Sequence, residues 1–168
     1  AAVFVNGRWG FVDTTGTTVI PNEYPKVRDF SEDRAAVRIG DKWGFLDKNG
    51  RMAVPAIYDK VGDFENGRAA VYLQREGWGF VNPDGTLIIP AKYEAVGRYR
   101  NGIVPVQQDG KWGLLNQFGA PVTLMKYDKI GAYSEGMAEV LLIRRVGIAD
   151  GAGNILIEPT YDTVRRYK

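Results

Sequence analysis

Trp-Gly recurs at Trp9-Gly10, Trp43-Gly44, Trp78-Gly79 and Trp112-Gly113, and Val146-Gly147 keeps the phase without the tryptophan, so that five copies stand 34, 35, 34 and 34 residues apart. A fixed period of this length marks tandem supersecondary units, each unable to bury its apolar face alone. The repeat therefore constrains the fold before any local motif does.

Aligned on Trp-Gly, further columns fall into register. An apolar pair follows, then Asp13, Asp47, Asn82, Asn116 or Asp150, and three residues later Gly16, Gly50, Gly85, Gly119 or Gly153. Asp or Asn hydrogen-bonds the backbone of a turn that it opens, and glycine takes the positive φ of a hairpin bulge. The next segments, such as Thr18-Val19-Ile20 and Leu87-Ile88-Ile89, suit a pleated strand, and Pro21, Pro55 and Pro90 are expected to stop its ladder. The fourth copy has Leu124 at that column and the fifth shifts its proline to Pro159, so these two exits should differ.

A tyrosine column (Tyr24, Tyr58, Tyr93, Tyr127, Tyr161) leads into three-residue steps, Val27 to Phe30 and Val61 to Phe64 among them, ending at Tyr133 and Tyr167 in the last two copies. This spacing predicts a short or bulged strand. Strands such as Ala35-Ala36-Val37 and Val104-Pro105-Val106 then return to the next Trp-Gly. No stretch carries a sustained helical pattern, and the fold class is all-β.

These columns resemble the WG repeat family, also called KWG repeats where a lysine precedes the tryptophan, as in Lys42-Trp43-Gly44. The resemblance covers essentially the whole chain; the fifth copy, Arg145-Val146-Gly147-Ile148, and Gly77 before Trp78 depart from it. It implies a bacterial binding or scaffolding module, often exported or envelope-associated, with no catalytic residue to carry over.

The expected organisation is a single domain over residues 1–168, with repeats at 1–34, 35–68, 69–103, 104–137 and 138–168. Residues 1–8 occupy the columns of residues 35–42, so the N-terminal strand is expected to complete the last repeat and close a propeller-like toroid, monomeric once closed. An open β-solenoid is the alternative, with Val146 marking a terminal cap.

Chemistry is tightly bounded. With neither histidine nor cysteine, the usual nucleophile-base and imidazole- or thiolate-metal sites cannot be assembled. Ser31 and Ser134 share one column and read as turn residues, and the Asp-x-x-Gly loops lack the dense oxygens of a calcium site. The chain is expected to be no enzyme and to need no metal or cofactor. A net charge of +2, with the main basic cluster at Arg165, Arg166 and Lys168, falls short of a nucleic-acid-binding stripe, and no apolar run is long enough to span a membrane.

Trp9, Trp43, Trp78 and Trp112 are read as packing anchors, each following glycine allowing a backbone to approach. Recognition is then expected in polar loops outside the repeated columns: Asn22, Glu23, Arg75, Glu76, Arg98, Arg100, Asn101, Gln107 and Gln108. A protein partner is the leading expectation. A glycan bound at one shallow aromatic site per unit, or a spacer role within a larger envelope protein, are the alternatives.

Overall fold

The computed structural model describes residues 1–133 and 136–164. Readings made at Ser134, Arg165, Arg166, Tyr167 and Lys168 lie outside the described residues. Two compact units divide the chain, Ala1–Ala91 and Lys92–Lys168.

In the first unit, β1 (Ala2–Val5), β2 (Arg8–Val12) and β3 (Thr18–Tyr24) form one sheet in chain order. A second sheet follows from β4 (Lys26–Ser31), β5 (Arg34–Ile39), β6 (Lys42–Asp47) and β7 (Met52–Tyr58), and a third from β8 (Lys60–Val61), β9 (Ala69–Leu73), β10 (Gly77–Val81) and β11 (Leu87–Tyr93), whose last residues cross the division. The second unit holds a sheet of β12 (Ala95–Val96), β13 (Ile103–Gln108) and β14 (Lys111–Asn116). Its other sheet comprises β15 (Lys129–Ile130), β16 (Met137–Leu142), β17 (Arg145–Asp150) and β18 (Ile155–Tyr161). Strands follow one another as antiparallel neighbours, so every sheet is a meander built from local hairpins.

The hairpin turns form as their columns require. The Asp47 carboxylate accepts from the Asn49 and Arg51 backbone N–H groups, and Gly50 closes the turn at φ 78°. Asp13, Asn116 and Asp150 accept two backbone N–H groups each in the same way, and Asn82 accepts from Thr86.

Trp-Gly has a geometric meaning. Across from β6, Trp43 pairs with Tyr58 while Phe45 pairs with Val54, so β7 spends extra residues as a bulge over Gly44. A Cβ on Gly44 would lie 2.6 Å from the Val54 oxygen and 2.7 Å from the Ala56 nitrogen. Gly10, Gly79 and Gly147 meet the return strand in the same manner, with Cβ positions 2.4 to 2.5 Å from a backbone oxygen.

Three expectations need correction. Proline does not stop the ladder: Pro21, Pro55 and Pro90 sit inside β3, β7 and β11, which are edge strands that bulge, where a missing N–H costs nothing. Only the fourth copy exits differently. There residues 120–127 make isolated bridges, Leu115 to Pro121 and Trp112 to Tyr127, while β18 keeps the pairing register of its counterparts with Pro159 one place later than their prolines.

The closed, propeller-like toroid is not what the strand pairing gives. The five sheets are separate and open, and among the described residues β1 pairs with β2 alone. The Ala1 ammonium donates to the Val12 carbonyl and the Val12 N–H donates back to Ala1, fixing β1 as the outer strand of its own hairpin. Residues 1–8 thus complete the first sheet rather than the fifth repeat, and the monomeric state tied to closure loses its basis.

The deepest positions belong to the residues around the tryptophans. Phe11, Phe45, Phe80, Leu114 and Ile148, which follow the glycines, are buried, as are Tyr58, Tyr93 and Tyr127; Trp9, Trp43, Trp78, Trp112 and Val146 are half-buried. Tyr24 is half-buried and Tyr161 exposed. In the first unit, Ala36, Phe45, Val54 and Tyr58 pack on Val61, Phe64, Val71 and Val81 of the next sheet, with Trp43 against the margin. Each fully buried side chain of this size contributes about 1.5–3 kcal/mol.

Candidate functional site

Within each unit a tryptophan lies beside the following sheet, Trp43 against the cluster that holds Val61 and Trp112 near Ile130, so these junctions have the makings of a cleft. Two of the junctions that lie within one unit, that of β4 with the segment after β8 and that of β12 with the segment after β15, compare column by column. In the first unit the cleft beneath β4 is bridged: Arg28 pairs with Asp63 at 3.1 Å, and the Ser31 hydroxyl donates to the Phe64 carbonyl at 2.7 Å.

In the second unit the columns of Arg28 and Asp63 hold Gly97 and Ala132. With no side chains to bridge it, the cleft there, about 380 Å³, is walled by Trp112, Pro105 and Ile130 and reaches Tyr133, whereas the bridged junction has a space of about 460 Å³ lined by Arg28, Asp29, Phe30, Ser31 and Asp63. Arg98 and Arg100 line it as well, where the first unit has Asp29 and Ser31. The change reverses the local charge. Arg28, Asp29 and Asp63 place one cation and two carboxylates around the first cleft; among the described residues the second has two guanidinium groups and no carboxylate in its lining.

Both arginines are exposed, and neither guanidinium has a hydrogen-bond or ion-pair partner among the described residues. The Tyr133 hydroxyl, in the column of Phe64, is buried without a hydrogen-bond partner among the described residues. Burial, with a smaller contribution from the Asp150 charge, pushes its pKa up to about 12, so the phenol is a protonated donor at neutral pH. Asp150 itself is held below the usual carboxylate range, first by the Asn154 side chain and then by backbone N–H groups of its turn.

Of the loop residues singled out in the sequence, Arg98 and Arg100 meet at this cleft. Gln107 stands directly across the sheet from its Trp112, and Gln108 across from Lys111. Asn101 takes φ 48° in the tight turn between Arg100 and Ile103, which is a backbone role. Asn22 is structural too, its amide donating to the Val3 and Arg8 carbonyls. Glu23 is exposed and its carbonyl accepts from Arg8, while Arg75 and Glu76 sit exposed in the turn between β9 and β10 of the first unit. Gly97, Pro105 and Ala132 were missed. Their signal lies in comparing columns across adjacent repeats, which requires knowing that residue 28 of one repeat faces residue 63 of the next.

The lysine of Lys-Trp-Gly also has a partner. Lys42 pairs with Asp59 at 2.6 Å, and Lys111 with Asp128 and Arg145 with Asp162 repeat the bridge. The Lys42 bond, followed by the Gln74 N–H, holds the Asp59 carboxyl below its ordinary range.

A family model described as WG containing repeat matches residues 9–43, 43–73, 78–112, 112–142 and 147–168. The chain belongs to the WG repeat family. Curated proteins give no match. Among solved structures, this WG-repeat chain is similar to BamB from Moraxella catarrhalis, with 13% identity, a TM-score of 0.52, and coverage of 93% of this chain and 56% of that one. It is also similar to the computationally designed Ika8 protein, with 13% identity, a TM-score of 0.49, and coverage of 90% and 55%. The chain spans little more than half the length of either. At such identity the BamB likeness speaks to fold alone.

Among the described residues, no group of three or more Asp, Glu, His or Cys side chains gathers to hold a metal ion. No described helix is long and apolar enough to cross a membrane.

Proposed function

We propose that this WG-repeat chain is a non-catalytic scaffold that binds a protein partner, with residues 1–168 serving as one repeat domain and the Trp112 cleft as its contact. The observation that carries the reading is the replacement, at one junction, of the Arg28–Asp63 bridge by a cleft walled by Trp112 and Pro105 and lined by Arg98 and Arg100. A half-buried indole beside exposed, unpartnered guanidinium groups is the combination that anchors protein interfaces. A rigid meander presents it with little ordering cost. The family resemblance supports a bacterial envelope or secreted setting for such a scaffold.

A glycan reading expects equivalent aromatic sites in each repeat. The bridged junction beside Trp43 supports a single specialised site instead.

A photo-crosslinking amino acid placed at Ala132 should form a protein adduct in the native host, and the same group at the exposed turn residue Lys48 should not. Retention of sugars on a glycan array, with no protein adduct at position 132, would replace this reading with the glycan one.

A further inference from the structure

Resting on the protein-binding reading, we infer that the Trp112 cleft recognises an acidic segment of the partner, seating an apolar side chain between Trp112 and Pro105 while Arg98 and Arg100 take a neighbouring carboxylate. Charge complementarity argues for this occupant. Both cationic groups lie in the cleft lining, no described residue of that lining is an acid, and neither cation is neutralised by another described residue.

The depth of the cleft supplies the remaining contacts. Pro105 stands where the first unit has Ala36, adding an apolar surface against Gly97; a Cβ at Gly97 would come within 3.0 Å of the Pro105 ring. Trp112 adds an indole plane, which accepts apolar and planar side chains. The Tyr133 hydroxyl lies buried, with no partner among the described residues. Arginine pairs with carboxylate bidentately, so the paired guanidinium groups select an acidic chain over a neutral apolar one.

The probe is a synthetic peptide, acetyl-Asp-Glu-Phe-Glu-Asp-amide, titrated calorimetrically into the whole chain, with acetyl-Lys-Lys-Phe-Lys-Lys-amide as its charge-reversed partner. The acidic peptide should bind and the basic one should not. Raising the salt should weaken the acidic complex, since the pair is exposed.

Reversal of both cations, Arg98→Glu with Arg100→Glu, should cost about tenfold or more in affinity. Because both side chains are exposed, the urea midpoint should stay where it was. A second variant lays the bridge of the first unit across the cleft and removes its proline wall: Gly97→Arg, Pro105→Ala and Ala132→Asp together should abolish binding with the fold intact.

Binding that survives both the arginine reversal and the rebuilt bridge would overturn the inference. So would failure of the acidic peptide to bind, and so would polygalacturonate binding as tightly as the peptide and competing with it. A protein adduct at position 132 alongside peptide failure would leave the partner reading standing and remove only its acidic chemistry.

Discussion

Gly44 lies so close beneath Ala56 that a methyl group on its Cα would sit 2.7 Å from the Ala56 backbone nitrogen. The obstacle is main chain, which cannot rotate aside as a side chain would. The glycine of Trp-Gly is therefore the stricter member of the dipeptide, and the fifth copy agrees, keeping Gly147 while carrying Val146.

Gly44→Ala should destabilise the fold by about 3 kcal/mol, the upper part of the range for overpacking a well-filled site. Trp43→Val, which copies Val146 and empties only a half-buried position, should cost less. Urea unfolding of the two variants gives the order directly. A larger loss from the tryptophan change would remove the argument for backbone approach.

The turn carboxylates make the protein acid-sensitive. Asp47 is held below its ordinary pKa, foremost by the Arg51 N–H, and Asp13, foremost by the Thr15 hydroxyl. A carboxyl depressed in the folded state contributes stability that is present above its unfolded pKa of about 4 and is lost as pH falls through the lower folded value. Asp47→Asn retains the acceptor, as Asn82 and Asn116 do, and should flatten the decline in stability between neutral and acidic pH. Asp47→Ala should be less stable than either already at neutral pH. Urea midpoints measured across that pH range test both statements.

The bridge behind the Lys-Trp-Gly signature is asymmetric. Lys42 has the Asp59 carboxylate as its partner, whereas Asp59 also accepts the Gln74 N–H at 2.8 Å. Lys42→Met should therefore change the melting temperature little, as exposed pairs generally do. Asp59→Ala should lower it more, by freeing the start of the following turn. Equal effects would mean that the ion pair, and not the backbone bond, is what matters.

Tyr133 holds a buried hydroxyl at the expense of stability. Tyr133→Phe, which copies Phe64, should stabilise the chain by about 1 kcal/mol, because an unsatisfied buried polar group is removed. The raised phenol works in the same direction at high pH: stability present below its unfolded pKa near 10 is lost as pH approaches about 12, and the variant should lose less. Thermal melts at neutral and alkaline pH check the sign.

The columns around Trp-Gly carried the hairpins because each turn is local: Asp47, Gly50 and their hydrogen bonds lie within five residues. The same locality explains why the toroid expectation failed. Residues 1–8 share the columns of residues 35–42, but a column states which strand a segment forms, not which sheet accepts it, and β1 is satisfied by its own hairpin with β2. The cleft was half visible. Arg98 and Arg100 stood out as polar loop residues, while Gly97 and Ala132 had nothing local to mark them. Their meaning comes from a bridge that joins Arg28 to a residue 35 positions away.

The account holds that the repeated columns build the scaffold and that one altered junction binds. Indole N–H resonances of Trp9, Trp43, Trp78 and Trp112 report on this separately. On titration with the acidic peptide, the Trp112 resonance should shift progressively while the Trp43 resonance, beside the bridged cleft, stays in place. Equal shifts of all four indoles, or movement of Trp43 without Trp112, would contradict the account.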